Sequence, residues 1–279
     1  MRRSVLFWIL AVIITLLSAY YQRVTGPTYP LSGKITIDNN VIDYHLDRSH
    51  NSTDDCVINV DTKDKTLSGI LEWKRFKTDD EFTKVEMTNK DGVLSALLPK
   101  QPPAGKLQYR VLIQKENTSF SIPAEQKYVV IRYKGAVPLF ILIPHIFAMF
   151  GTMLLSTRTG LEVFNKERRL KLYTSWTIGF LILGGMILGP LTQYYAFGAL
   201  WTGFPFGIDL TDNKTLIALI GWLIAAFMLK RSKKPGWWVV GASVLLFLIY
   251  LIPHSVLGSE LDYNKMDQNK TQTEIINQK

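Results

Sequence analysis

Five apolar stretches, at residues 5–20, 136–156, 173–191, 216–229 and 237–252, punctuate this chain, and a polar block of more than a hundred residues separates the first from the second. About 20 apolar residues in a helix cross the roughly 30 Å hydrocarbon core of a bilayer. The pattern therefore predicts a membrane protein carrying one soluble insert. The charges predict its orientation. Arg2 and Arg3, the 157–172 loop and the 230–236 loop together hold eleven basic and two acidic residues, which accounts for the entire net charge of +9. Short segments rich in Lys and Arg stay in the cytoplasm. These three alternate with the other connections across five spans, so the N-terminus is expected inside, and the insert, the 192–215 loop and the C-terminus outside. The charge thus reports topology. No nucleic-acid partner is expected, because that would need a basic face on a soluble element.

Residues 1–21 are expected to form the first transmembrane helix, an uncleaved signal anchor: two arginines precede a long apolar run, and bulky Tyr20 and Tyr21 follow Leu17-Ser18-Ala19, a poor cleavage site. Residues 22–134 read as an all-β domain. Short candidate strands are separated by turn signals such as Asp38-Asn39-Asn40 and Pro102-Pro103-Ala104-Gly105. The stretch 106–115 alternates best, with Leu107, Tyr109, Val111 and Ile113 on one face. About nine strands at this spacing suggest an immunoglobulin- or fibronectin-III-like sandwich, with Trp73 as its core tryptophan. Cys56 is the one cysteine, so no intrachain disulfide forms and the domain must rest on its hydrophobic core. Residues 135–254 then supply four transmembrane helices, 136–156, 173–191, 216–229 and 237–252. Pro144 is expected to kink the first of them. Gly185-x-x-x-Gly189 in the second would admit a close neighbour. The span at 216–229 is short, about 21 Å at 1.5 Å per residue, unless the helix reaches back through Thr211–Thr215. Residues 255–279 form a polar tail, expected to be disordered beyond about residue 263. The expected fold class is an α+β membrane protein, with the sandwich inserted between transmembrane helix 1 and a four-helix transmembrane domain.

The connection at 192–215 is unlike a solvated loop. It carries Tyr194, Tyr195, Phe197, Trp201, Phe204 and Phe206 among glycines, then turns acidic at Asp209 and Asp212. That composition suits a loop folded into a membrane–water interface. With His145 inside its span, His254 at the end of the last one, and Lys214, Glu260 and Asp262 nearby, it defines one polar constellation on the outer side. His145, Asp209, Asp212 and His254 are residue types that could hold a divalent metal. Lys214, Glu260 and Asp262 are further polar candidates. The plainer alternative has Asp209 and Asp212 capping the next helix and the histidines satisfied by neighbours. A bis-histidine haem is not expected: His145 sits about 13 Å into its span by helix rise and His254 at the edge. Arg48-Ser49-His50 could form a binding loop, although a lone cluster is more often simply a loop. Phosphate-loop, nucleophile-elbow, HExxH and CxxC motifs do not occur.

Two stretches, Thr25–Pro30 and Trp201–Thr215, give the chain a family resemblance. It resembles bacterial inner-membrane proteins of the Bacteroidetes type, which join an extracytoplasmic β-sandwich to a multi-helix membrane part. The resemblance implies a bacterial source and a periplasmic β-domain. It carries over no catalytic residue. The leading functional expectation is a non-enzymatic binding or assembly protein, with the lipid bilayer and a membrane or periplasmic protein as partners. The alternative is a membrane-embedded metal-dependent enzyme or metal carrier. A sensor or transporter component is the third reading, weakened by the lack of a row of charges through the spans.

Overall fold

The computed structural model describes residues 2–38, 40–124, 127–253, 258 and 260–269. It is a mixed α+β chain in two compact units, Met1–Pro27 with Val137–Ser259, and Thr28–Ala136 with Glu260–Lys279.

The second unit is rich in sheet. Its strands are β1 (Leu31–Ile37), β2 (Asn40–Leu46), β3 (Ser49–Asn51), β4 (Cys56–Asp61), β5 (Ser68–Arg75), β6 (Thr83–Lys90), β7 (Val93–Leu98), β8 (Lys106–Lys115), β9 (Thr118–Ile122) and β10 (Val129–Lys134). Period-2 alternation builds the core directly. Leu107, Tyr109, Val111 and Ile113 of β8 are all fully buried, because successive side chains point to opposite faces. The strand order differs from the expected sandwich of two separate sheets. One eight-stranded sheet runs β3-β10-β8-β5-β6-β7-β4, with β9 on β8, and β1-β2 is a separate ribbon. The reason lies in β6. Its residues 83–87 pair with β5 while 88–90 pair with β7, so the sheet turns a corner and closes around a single core. Tyr109 and Tyr133 are the largest fully buried side chains of this core, whereas Trp73 is only partly buried. Cys56 is part of it too. Burial, helped by Asp47 and Asp54, pushes its thiol up to about 12, which keeps it uncharged and unreactive. Of Arg48-Ser49-His50, Ser49 and His50 belong to β3, which lies parallel to β10, and Arg132 N donates to Arg48 O at 3.1 Å.

The tail returns to this unit. Residues 263–269 are helical, where disorder is expected from their polarity. Side chains explain the difference. Lys106 Nζ and Lys77 Nζ reach the Glu260 carboxylate at 2.7 and 3.2 Å. Arg75 bridges Asp80 at 2.6 Å and Asp267 at 2.7 Å. Tyr263 is buried and donates to Gln101 Oε1 or Lys106 O. Burial works against the charged form of Glu260, but Lys106 and then Lys77 outweigh it and hold the carboxyl below its ordinary 4.5. A depressed carboxyl contributes stability that is full above its ordinary value and lost as pH falls through the folded value. Hydrogen exchange at residues 260–269 should therefore accelerate on acidification below 4.5, ahead of the β8 core. Unchanged protection there would show that apolar packing alone holds the tail.

The first unit is helical. It comprises α1 (Arg2–Thr25), α2 (Leu139–Glu162), α3 (Leu170–Leu181), a π-helical segment (Ile182–Leu188), α4 (Gly189–Phe197), α5 (Leu210–Arg231) and α6 (Pro235–Leu251). Four helices, Arg3–Thr25, Leu139–Glu162, Leu170–Phe197 and Leu210–Arg231, are long and apolar enough to cross a membrane, and α6 is a shorter apolar helix. The fourth span is thus not short, since α5 extends back to Leu210. The helices pack through small residues and bury Ala218, Trp222, Ala225 and Leu246. A Cβ on Gly185 would lie 2.5 Å from Thr215 Cγ2, so glycine there sets how closely α5 approaches. Leu6, Ile9, Phe140, Phe147 and Phe227 face outward, as lipid-facing side chains do.

All three basic segments lie at one end of this unit. Arg158 donates to Ser4 Oγ, and Trp8 meets Tyr173 edge-on. A Cβ on Gly236 would touch Val163, and Lys171 and Lys230 line one pocket of about 420 Å³. At the other end Gln22 Nε2 donates to Tyr250 O at 2.7 Å and Lys214 Nζ to Ile252 O at 2.8 Å.

Candidate functional site

The acidic residues of the 192–215 connection hold its fold together. Gly198, in the left-handed conformation at φ 82°, ends α4, a position that suits glycine. The chain re-enters helix at Asp209, whose Oδ1 accepts from Thr211 N at 2.8 Å, an N-cap bond. One turn on, buried Asp212 reaches back across the loop. Its Oδ2 accepts from Thr202 N at 2.6 Å, Gly203 N at 3.0 Å and Gln193 Nε2 at 3.2 Å. Asn213 Oδ1 accepts from Phe204 N at 2.6 Å. Gly203 leaves room for this: a Cβ would lie 2.6 Å from Asp212 Cβ. Pinned from beneath, the loop presents Phe204, Phe206 and Ile208 outward at 70%, 82% and 90% exposure.

Lys214, also buried, does not pair with Asp212. It donates to the carbonyl of Ile252, one of the acceptors that a helix leaves unpaired at its C-terminus, and places a cation where the helix dipole favours one. His145 lies against the π-helical segment. Its Nδ1 donates to Gly184 O at 2.9 Å; a carbonyl only accepts, so Nδ1 carries the proton. The same carbonyl accepts from Gly189 N five residues on, and Pro190 has no N–H to continue the ladder. The wide turn and the histidine thus satisfy one disrupted stretch of backbone.

His145, Asp209 and Asp212 accordingly each have a protein partner, and His254 lies outside the described residues. Among the described residues no group of three or more His, Cys, Asp or Glu is placed to hold a metal. Glu260 belongs to the tail contact with Lys77 and Lys106. Asp262 Oδ1 accepts from Lys265 N at 3.1 Å, starting the short tail helix.

A second centre lies at the basic end, around Arg158 and Glu162, which the sequence places in the 157–172 loop. Arg158 is fully buried and Glu162 is 2% exposed, with Nη1 and Oε2 2.6 Å apart. The guanidinium is boxed by the rings of Phe7, Trp8 and Tyr173 at 5.8, 5.3 and 4.9 Å, where ring faces attract a cation. Glu162 also accepts from Asn165 Nδ2 at 2.6 Å and Arg169 N at 2.9 Å. One carboxylate therefore ties the end of α2 to the connection and to the start of α3, while Arg158 adds α1 through Ser4. The signal that could have found it is the i,i+4 Arg–Glu spacing on a helix carried one and a half turns past Ser156.

A scan of protein-family models and searches of curated proteins and of solved structures return no match to this chain.

Proposed function

We propose that this chain is an integral membrane binding or assembly protein, resident in a bacterial inner membrane, that holds a β-domain outside the cytoplasm for a membrane or periplasmic protein partner. The observation that carries this reading is how the helical unit uses its buried ionisable groups. Asp212 holds loop amides, Lys214 caps α6, and Glu162 holds Arg158. Each fastens one helix or loop to another, as a scaffold requires. The basic segments gathered at one end support a cytoplasmic N-terminus, and the chain continues into the β-unit from the opposite ends of α1 and α2.

The finer reading of the β-unit is a module that binds its partner at the β4 end of the sheet. Strand β4 closes one end of the strand order, and Val57 stands opposite Leu97 of β7. Both are about half exposed, at 51% and 52%. An outward apolar pair beside the end of a sheet is a common place for a partner to add. The test is cross-linking in intact membranes followed by gentle extraction of the full chain. A discrete complex is expected, lost in Val57→Glu, Leu97→Glu and kept when Phe206→Ser is introduced instead. A chain that extracts alone, or a complex indifferent to both changes, would overturn the reading.

A further inference from the structure

At the basic end a pocket of about 820 Å³ opens between the start of α1 and the start of α3, with Glu162 at its inner wall. Its charge is unbalanced. Glu162 is already matched by Arg158 and has both oxygens occupied. That leaves Arg3, Lys166 and Arg169 on the lining against Glu167 alone. Among the described residues, these three cations form no ion pair. Ser4 and Tyr173 add hydroxyls to the same wall.

The geometry points to a phosphate-binding pocket. Three cations around a cleft with hydroxyl donors suit a phosphate's several acceptor oxygens. Two sources present that chemistry: the headgroup of an acidic phospholipid, and free phosphate. The cleft suits the first. It lies at the head of an apolar face on α1, where Leu6, Ile9 and Ile13 are about half exposed at 51%, 51% and 47%, with Trp176 of α3 at 54%. Acyl chains would lie along that face with the phosphate among the cations, the usual arrangement where a basic pocket between membrane helices meets the cytoplasmic leaflet. This inference is independent of what the β-unit binds.

The test uses the full chain in mixed micelles. Its unfolding midpoint is followed as phosphatidylglycerol, or phosphatidylcholine at the same mole fraction, is added, and as inorganic phosphate is added to phosphatidylcholine micelles. A ligand that binds only the folded state raises the midpoint. Phosphatidylglycerol should raise it by several degrees in the native chain and in Lys233→Gln, Lys234→Gln, which removes two charges at the same end but outside the pocket. Lys166→Gln, Arg169→Gln should abolish the rise. Lys166→Gln alone, at an exposed side chain, should weaken the titration severalfold, so the result does not depend on the double variant folding well. A rise with inorganic phosphate that follows the same variants assigns the pocket to the free ion. Equal responses in all variants, a response to phosphatidylcholine as large as that to phosphatidylglycerol, or no response to any addition overturns the inference.

Discussion

Replacing Glu162 by Ala should destabilise the helical unit by about 3–5 kcal/mol, the cost of leaving a buried charge without its partner. Arg158 would remain at zero exposure with only Ser4 and three ring faces around it. Asn165 and the Arg169 amide would lose their acceptor as well. The experiment is reversible unfolding in mixed micelles, compared with Arg158→Leu, Glu162→Leu. The double variant removes both charges and fills the space with apolar groups, which for buried pairs is often neutral or stabilising. The pair would then act mainly through specificity: its geometry fixes which ends of α1, α2 and α3 meet. A loss under about 1 kcal/mol for Glu162→Ala, the range of solvent-exposed pairs, would show that water reaches the guanidinium.

This centre shows where sequence reading stops. Helix existence was legible, because about twenty apolar residues in a row leave few alternatives. Strand β8 was legible as well, because its alternation maps onto one buried face. The end of α2 was not. Thr157–Glu162 is polar, and its burial depends on Phe7 and Trp8 arriving from the far N-terminus and Tyr173 from the next helix. Burial of a charge is a tertiary property, and the i,i+4 spacing alone also fits a solvated face. The corner in β6 was hidden for a related reason: which half of a strand pairs with which neighbour depends on register across the sheet, not on local pattern. In the 192–215 connection, composition was enough to single out the segment and to suggest Asp209 as a cap. The part played by Asp212 required knowing that the chain returns to it at Thr202, ten residues earlier.

Asp212→Ala should release that connection. Two backbone amides and the Gln193 side chain converge on one carboxylate oxygen, and hydrogen bonds to a charged group contribute about 1.5–3 kcal/mol each. They share an acceptor and are not additive, so a total loss of about 3 kcal/mol is expected. The more specific result is local. Exchange at the Thr202 and Gly203 amides should become fast, and chymotrypsin should cut after Phe206, which is already exposed but held in a fixed turn. Gly203→Ala offers an independent route to the same state, because its Cβ would lie 2.6 Å from Asp212 Cβ and drive the carboxylate away while leaving the charge in place. If both variants open the loop, the fastening depends on the geometry of Asp212. If only Asp212→Ala does, the charge stabilises the loop from a distance. If neither does, the caps from Asp209 and Asn213 are sufficient, and the exposed Phe204, Phe206 and Ile208 are held without it.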